Sequence, residues 1–316
     1  MNRFRSEFSL ILCTLIWGGT FTATKLSLTS VSPSFFLGMR FGIAFLVFLP
    51  ILFFVSRRSA SREQRLLGAL SELTPNQLWT AFLLGFWMFA GFACQTIGLR
   101  FTTAIKSGFL TGTLVVITPI LQTVLYRRAP SAGNLLGVIV VMAGLFFLSS
   151  EPDGGGDELL FSFKTGDLIT LAGAFFFACY VIQMDSASRE LPDSILLISQ
   201  TFVTSIASFG LAICLSVIGW ETFYWEWDPA MIPVLLYNGV LASVGTTYLQ
   251  TRYQREVSPT RAAIIFSLEP VFSAFIAFFI LDDRLTTAGV IGCFLVLSGV
   301  LIAEFLGKVK EEKKER

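Results

Sequence analysis

The stretch that decides the fold is Gln95–Gln122 (QTIGLRFTTAIKSGFLTGTLVVITPILQ), which is followed 155 positions later by the related stretch Gln250–Ala277 (QTRYQREVSPTRAAIIFSLEPVFSAFIA). At this single offset, without a gap, five matches occur: Gln95-Thr96 with Gln250-Thr251, Arg100 with Arg255, Lys106 with Arg261, Gly137 with Gly292, and Gly144 with Gly299. At an offset near 160, residues 33–35 fall over 193–195, and the earlier segments align by apolar pattern. The sequence therefore indicates an internal duplication.

The composition places both copies in a membrane. Hydrophobic residues make up 54% of the 316 residues and charged residues 14%, with a mean hydropathy of +0.71. A membrane-spanning helix needs about 20 mostly apolar residues. Runs of this length fall at 7–28, 33–55, 77–99, 103–126, 132–150, 166–185, 193–219, 231–253, 259–281 and 285–306. The sequence predicts ten transmembrane helices, five in each half.

An odd number of helices in each half determines how the halves are related. After five crossings the chain is on the far side of the membrane, so the second half must enter from the opposite face. The predicted fold is therefore an all-α integral membrane protein of ten transmembrane helices, built as a 5+5 inverted repeat, an arrangement that recurs in secondary transporters. We assign residues 7–150 to the first repeat, 151–165 to an extracytoplasmic linker, 166–306 to the second repeat and 307–316 to a charged cytoplasmic tail.

The basic residues of the loops predict the orientation. With the N-terminus inside, sixteen of the 23 lysines and arginines lie on the inner side, whereas only Arg100, Lys164 and Arg284 lie on the outer side. Because cytoplasmic loops carry the excess of Lys and Arg, we expect both termini in the cytoplasm. The chain is predicted to be a multi-pass protein of the cell membrane, either a plasma membrane or a bacterial inner membrane.

Several function classes are excluded by what the sequence lacks. It has no histidine, so histidine-based triads and metal motifs are absent, and its five cysteines lie in apolar runs without CxxC spacing. It contains no Walker A pattern (GxxxxGK[ST]) that would indicate ATP hydrolysis. The net charge of +1 gives no indication of a nucleic-acid partner. We therefore predict no cofactor, no metal ion and no nucleic acid.

Three stretches resemble the EamA branch of the drug/metabolite transporter superfamily: Gln95–Gln122, Ser258–Ile302 and Leu15–Lys25 (LIWGGTFTATK). The resemblance covers about residues 8–305. It implies ten helices as 5+5, cytoplasmic termini, a central cavity formed mainly by the first four helices of each half, and peripheral helices 5 and 10. Members export amino acids, nucleosides or other metabolites, or exchange nucleotide sugars or triose phosphates, so the resemblance does not imply one substrate.

Ionisable residues inside spans are candidates for function, because their insertion is costly. Lys25, Arg40 and Lys106 all fall toward the outer side, against the general charge trend. They could form a basic vestibule that attracts an anionic group of the substrate, or each could snorkel to the outer headgroups. Arg261, the repeat equivalent of Lys106, opens helix 9 on the cytoplasmic side, and the pair could mark matching entrances.

Glu269 is the only carboxylate that the sequence places near mid-membrane. It could titrate as a proton-coupling group, because burial changes the affinity of a carboxyl for its proton, or it could accept a structural hydrogen bond across helices. The SLEP sequence around it resembles a widespread family motif, which favours the structural interpretation. Pro270 and Pro119 each remove a helical hydrogen bond and are predicted to kink their helices.

Further polar and aromatic residues at helical spacing are predicted to line a cavity. The candidates for substrate binding are Trp17, Thr20, Phe21, Lys25, Arg40, Gln95, Lys106, Tyr180, Tyr248 and Gln250. Gln95 and Gln250 are equivalent in the repeat and are expected to face each other across the pseudo-twofold axis. Interhelical packing is the alternative for each of them.

The leading hypothesis is a secondary transporter that moves a small polar metabolite, an amino acid or similar, outward by alternating access. Its partners are the small-molecule substrate, the lipid bilayer and, if Glu269 titrates, coupled protons. The alternative is a drug or lipid-linked-intermediate flippase of the same fold. An integral-membrane enzyme would need converging catalytic groups, which Glu269 alone does not supply, so we predict that the chain is not an enzyme.

The predicted orientation can be tested with single cysteines in intact cells. Ser59→Cys and Lys313→Cys should resist a membrane-impermeant thiol reagent, whereas Gly155→Cys should react. All three should react after the cells are permeabilised. Labelling of Lys313→Cys in sealed cells would contradict the orientation.

Overall fold

The computed structural model describes residues 3–57, 72–102, 104–127, 129–149, 165–281 and 287–311. Most of the predicted linker, the turn at Asp282-Asp283 and the tail after Glu311 lie outside the described residues, as do Ser59, Gly155 and Lys313.

The described chain forms ten helices, which we number α1 to α10. Six are uninterrupted: α2 (Pro33–Arg57), α3 (Pro75–Phe101), α5 (Ala132–Ser149), α6 (Thr165–Glu190), α7 (Asp193–Val217) and α10 (Thr287–Glu311). Three have two segments: α1 (Arg3–Gly18 and Thr20–Ser27), α4 (Ala104–Gly112 and Leu114–Tyr126) and α9 (Pro259–Phe266 and Glu269–Leu281). The remaining helix, α8, consists of Met231–Leu236, the π-helix Tyr237–Gly245, Thr246–Tyr253 and the 3-10 turn Gln254–Glu256.

These helices confirm the predicted fold class. Among the described residues, nine helices are long and apolar enough to cross a membrane, and the apolar part of α5, Ala132–Phe147, is a shorter tenth. The protein is an all-α membrane protein whose ten helices form a 5+5 inverted repeat.

Local sequence signals set where several helices begin. At the start of α3, the Thr74 hydroxyl accepts from the Gln77 backbone N–H at 3.3 Å, and the Gln77 side chain accepts from the Thr74 N–H at 3.0 Å. This capping box satisfies donors that the first helical turn leaves open. Proline stands at the first position of α2, α3 and α9, where its missing N–H costs nothing.

The helix contacts follow a pseudo-twofold relation between the halves. Three pairs combine equivalent helices: α2 with α7, α4 with α9, and α5 with α10. The other contacts come as matched sets, since α3 packs on α6 as α8 packs on α1, and α4 packs on α6 as α9 packs on α1. The first four helices of each half therefore enclose the centre of the molecule, while α5 and α10 pack on each other.

Four helices are interrupted, and side-chain hydroxyls bind backbone carbonyls beside three of the interruptions. Next to the break at Gly19 in α1, the Thr20 hydroxyl donates to the Trp17 carbonyl at 2.8 Å. In α4 the Thr113 hydroxyl donates to Leu110 at 2.6 Å, and in α9 the Ser267 hydroxyl donates to Ile264 at 2.6 Å. Hydroxyls of this kind allow a helix to break inside hydrocarbon without a lost hydrogen bond. The fourth interruption is the π-helix of α8.

The α4 interruption differs in position from the predicted kink at Pro119. Pro119 lies inside the continuous segment Leu114–Tyr126, and the break is at Thr113. Pro270, in contrast, is the second residue of the α9 segment that follows the break. Residues 113 and 268 are equivalent at the 155-residue offset, so both halves break at the same place.

Small residues hold α5 against α10. A Cβ atom added to Gly144 would lie 2.6 Å from the Val296 nitrogen and 2.8 Å from the Gly292 carbonyl oxygen. At Gly299 it would lie 2.6 Å from the Val141 side chain and 2.8 Å from the Gly137 carbonyl oxygen. Backbones approach this closely in membranes only where glycine or another small residue lies at the contact.

Gly144→Ala should therefore destabilise the protein by about 1–3 kcal/mol, because the added methyl group meets backbone atoms and forces the two helices apart. The measurement is the midpoint of thermal unfolding in detergent. Gly210→Ala in α7 is the matched control, since nothing lies within 4 Å of its added Cβ. Equal midpoints for the two variants would contradict this account of the α5–α10 contact.

Candidate functional site

A cavity lies at the centre of the molecule, between the two halves. It offers about 50 Å³ to the centre of a water molecule, which is room for a few waters at ~10–15 Å³ each. The lining residues are Trp17, Thr20, Phe41, Met88, Phe92, Gln95, Thr111, Leu114, Phe177, Tyr180, Val181, Ala242, Thr246, Thr247, Gln250, Phe266 and Glu269.

The helix interruptions surround this cavity. Trp17 and Thr20 flank the break in α1, Thr111 and Leu114 flank the break in α4, and Phe266 and Glu269 flank the break in α9. Ala242 lies within the π-helix of α8, and Thr246 and Thr247 follow it directly. The cavity is therefore located where regular helical backbone stops.

Aromatic rings and hydrogen-bonded polar groups share the walls. The Trp17 ring meets Phe266 edge to face with centroids 5.3 Å apart, and its indole N–H donates to the Thr246 hydroxyl at 3.0 Å. The Gln95 amide donates to the Thr111 hydroxyl at 3.1 Å. These bonds fix the orientation of the side chains, and the surface they present combines ring faces with hydroxyl and amide groups.

A second set of hydrogen bonds orients the side chains of Tyr180 and Gln250. The Tyr180 hydroxyl donates to Gln200 at 2.7 Å, and Gln200 donates to Thr251 at 2.9 Å. The Gln250 amide donates to the Gln254 side chain at 2.8 Å. Both predicted binding residues are thus held in place by neighbours from the second half.

Glu269 begins the second segment of α9 and faces the cavity, with its side chain partly buried. In the part of the chain that the structure describes, no protein group forms a hydrogen bond with its carboxylate. The bond across helices that the sequence analysis favoured is therefore absent from this part. The buried guanidinium of Arg40 and the phenol of Tyr237 lie within electrostatic range of the carboxylate.

Arg40 is buried rather than extended to the membrane surface, with 2% of the residue exposed. Its Nε donates to the Ser243 hydroxyl at 2.9 Å, and Nη2 donates to the Ala242 carbonyl at 3.3 Å. The guanidinium carbon lies 4.8 Å from the centroid of Phe92. Arg40 thus binds groups of the π-helix behind the cavity wall and does not line the cavity itself.

The other two outer cations also have local partners. Lys25 donates to the carbonyls of Leu99 and Thr102 at 2.6 and 2.8 Å, at the C-terminal end of α3, where a cation is favourable. Lys106 forms an ion pair with Asp167 at 2.7 Å. The predicted basic vestibule is therefore not built as an open cluster of three cations, because carbonyls and a carboxylate face these charges.

The remaining predicted residues lie away from the cavity wall. Phe21 is buried, with its ring facing Gly108. Tyr248 is 47% exposed on the outer surface of α8. It is two residues from Gln250, a spacing that places side chains on different sides of a helix.

Of the ten predicted binding residues, the structure brings five together around the cavity, with Glu269 beside them: Trp17, Thr20, Gln95, Tyr180 and Gln250. The sequence does not distinguish the apolar lining residues, because an aromatic ring or a leucine in a membrane helix resembles ordinary packing. Equivalence in the internal repeat is the sequence signal that identifies two of these lining residues. Phe177 is equivalent to Trp17 at the 160-residue offset, and Leu114 is equivalent to Glu269 at the 155-residue offset.

The cavity is symmetric in position but not in chemistry. At the α4 break the lining residue is Leu114, and at the equivalent α9 break it is Glu269. Phe92 is likewise replaced by Thr247. One side of the cavity therefore carries the carboxylate, and a substrate would meet two different walls.

Comparison with known proteins agrees with this architecture. The sequence matches the EamA-like transporter family over residues 5–150 and 164–305. An "Uncharacterized transporter" of Archaeoglobus fulgidus is 30% identical over 305 residues, covering 96% of this chain and 86% of that protein. The "Uncharacterized transporter YyaM" of Bacillus subtilis is 23% identical, with 96% and 94% of the two chains covered.

A WAT1-related protein of Arabidopsis thaliana is 27% identical over 206 residues, which is 64% of this chain and 49% of that protein. One solved crystal structure has the same fold, with a TM-score of 0.74 over 96% of each chain at 16% sequence identity. The family match extends over both halves of the chain. The protein therefore belongs to the EamA-like transporter family and is a multi-pass membrane transporter of the drug/metabolite transporter type.

Proposed function

We propose that the chain is a secondary transporter that carries a small polar metabolite, an amino acid or a molecule of similar size, out of the cell by alternating access. The observation that carries this proposal is the central cavity, which lies between two inverted halves and is flanked by four helix interruptions. Inverted halves can open such a cavity to either face in turn.

The substrate meets both rings and polar groups in this cavity. Trp17, Phe92 and Phe177 offer apolar surfaces, while Gln95, Gln250 and the threonines offer hydrogen bonds. Ligand sites commonly combine a mainly apolar lining with a few polar groups that fix orientation. This combination suits a small molecule with a polar head and an apolar part, and we assign Trp17, Gln95, Tyr180 and Gln250 to its binding.

Proton coupling is the proposed driving force, and Glu269 is its carrier. The sequence has no Walker A pattern for ATP hydrolysis, and an ion gradient is the driving force that we propose. Intramembrane carboxylates that face a cavity typically serve proton relays or substrate binding. Glu269 faces the cavity and has no protein hydrogen bond among the described residues, which favours coupling over a structural role.

The orientation and the domain boundaries complete the proposal. The basic residues favour cytoplasmic termini in a plasma or bacterial inner membrane. The repeats occupy residues 7–150 and 166–306, each with five helices. Export then means movement from the face where α1 begins to the opposite face.

Transport can be tested by overproducing the protein in cells and measuring polar metabolite pools inside and outside by mass spectrometry. We expect at least one amino acid or similar metabolite to fall inside and rise outside. Thr247→Trp is the matched control, because it fills the cavity at a buried lining position and should abolish the shift. Unchanged pools, or an equal shift with Thr247→Trp, would contradict the proposal. Movement of a fluorescent lipid instead would support the flippase.

Proton coupling can be tested in liposomes with Glu269→Gln, which keeps the volume of the side chain but removes its titration. Accumulation of the identified metabolite under an imposed pH gradient should be abolished, while exchange of labelled for unlabelled metabolite without a gradient continues. Asp185→Asn removes a carboxylate that lies outside the cavity and pairs with Arg189, and it should leave both activities intact. If Glu269→Gln still accumulates the metabolite in response to the gradient, Glu269 is not the coupling group.

A further inference from the structure

An ion pair joins the two halves at the face opposite the start of α1. Lys106 lies in the short first segment of α4, and Asp167 is the third residue of α6. Their charged atoms are 2.7 Å apart, and the Asp167 side chain is fully buried. The Thr102 hydroxyl also donates to Asp167 at 2.6 Å. This contact holds the beginning of α4 against the beginning of α6.

A second ion pair joins the halves at the face where α1 begins. Arg261 lies in the short first segment of α9, and Glu7 lies in the first turns of α1. Their charged atoms are 3.4 Å apart, and only 3% of the Arg261 side chain is exposed. Arg261 also pairs with Glu304 of α10. This contact holds the beginning of α9 against the beginning of α1.

The two pairs are images of each other in the repeat. Lys106 and Arg261 are equivalent at the 155-residue offset, and Glu7 and Asp167 are equivalent at the 160-residue offset that aligns the earlier helices. Each pair therefore connects a fourth helix of one half to the first helix of the other. Because the repeat is inverted, the two connections lie at opposite ends of the molecule.

Each cation lies on a short helical segment that a break separates from the rest of its helix. The Lys106 segment, Ala104–Gly112, has nine residues and ends at the Thr113 break. The Arg261 segment, Pro259–Phe266, has eight residues and ends at the Ser267–Leu268 break. A break in the helical hydrogen bonds lets the segment tilt against the rest of its helix. Tilting of either segment separates the halves at one end only, and the break itself adjoins the cavity.

Ion pairs suit a contact that must both close and open, because water weakens the attraction between the two charges. In a dry contact the two charges neutralise each other, and in an opened, wet contact water hydrates each of them. The same pair can therefore close an end firmly and still separate when that end fills with water. In the described conformation both pairs are formed, which agrees with the small volume of the cavity.

We propose that these two ion pairs are the gates of transport: Lys106–Asp167 closes the cavity at the face opposite the start of α1, and Arg261–Glu7 closes it at the face where α1 begins. The inference rests on the alternating access proposed above. It assigns a positioning role to Asp167 and Glu7, since neither residue lines the cavity.

The gates can be tested without knowing the substrate. All five native cysteines are replaced by serine or alanine, and Thr247→Cys is introduced as a reporter in the cavity wall. A membrane-impermeant thiol reagent is applied to right-side-out and inside-out vesicles, and the rate of labelling is measured from each face. The parent should label slowly from both faces.

Asp167→Asn should raise the labelling rate from the face opposite the start of α1 by about tenfold and lower the rate from the other face. Loss of the Lys106–Asp167 pair shifts the population toward the conformation whose cavity is open to the face opposite the start of α1. Glu7→Gln should have the reverse effect. Asp193→Asn is the matched control. Asp193 pairs with Arg252 and Arg255 at 3.6 and 3.3 Å, but these residues belong to one half, so neither rate should change.

A charge-exchange variant distinguishes loss of the ion pair from misfolding of the protein. Lys106→Asp combined with Asp167→Lys should restore the slow labelling of the parent, whereas either change alone should not. If Asp167→Asn and Glu7→Gln leave both rates unchanged while the reporter labels from both faces, the gate proposal is wrong and alternating access stands. If the reporter labels from one face only in the parent and in every variant, alternating access itself is wrong.

Discussion

Backbone groups inside hydrocarbon need partners, because each unsatisfied N–H or C=O costs several kcal/mol there. This constraint keeps six of the described helices regular and determines how the other four can break. Hydroxyls of Thr20, Thr113 and Ser267 bind carbonyls at three breaks, and Arg40 binds a carbonyl of the π-helix. All four interruptions adjoin the same cavity. The polar groups that satisfy the backbone at these interruptions therefore lie beside the cavity.

Periodicity, length and the parity of the repeat were enough to predict ten helices and their inverted arrangement. Helical spacing also predicts Trp17 at the cavity, and repeat equivalence predicts Gln95 and Gln250 there. These signals do not locate the features that depend on tertiary contacts. The break in α4 is at Thr113, and Pro119, for which the sequence predicts a kink, lies within the segment that follows the break. Tyr248 is different, because its two-residue spacing from Gln250 already places the two side chains on different sides of α8.

Charged residues show the limit of sequence reasoning most clearly. The sequence around Lys106 shows only its place in its own helix. Its partner Asp167 is 61 positions away in the chain and belongs to the other half. Position in the repeat was a better guide, because equivalent residues occupy equivalent places. Chemistry is what the repeat does not conserve: Leu114 and Glu269 share a location and differ in charge. The two halves therefore share one shape and differ in the side chains that they present to the cavity.

The contact between α5 and α10 is isologous in character. Gly137 approaches Gly299, and Gly144 approaches Gly292. Since Gly292 is the repeat equivalent of Gly137 and Gly299 that of Gly144, the two contacts are related by the pseudo-twofold axis. A closed twofold dimer has this kind of interface. The geometry is that of two copies of one five-helix protein inserted in opposite orientations and joined by their fifth helices. Because both halves belong to one chain, their equivalent positions need not carry the same residue, and among the described lining residues only the second half supplies a carboxylate, Glu269.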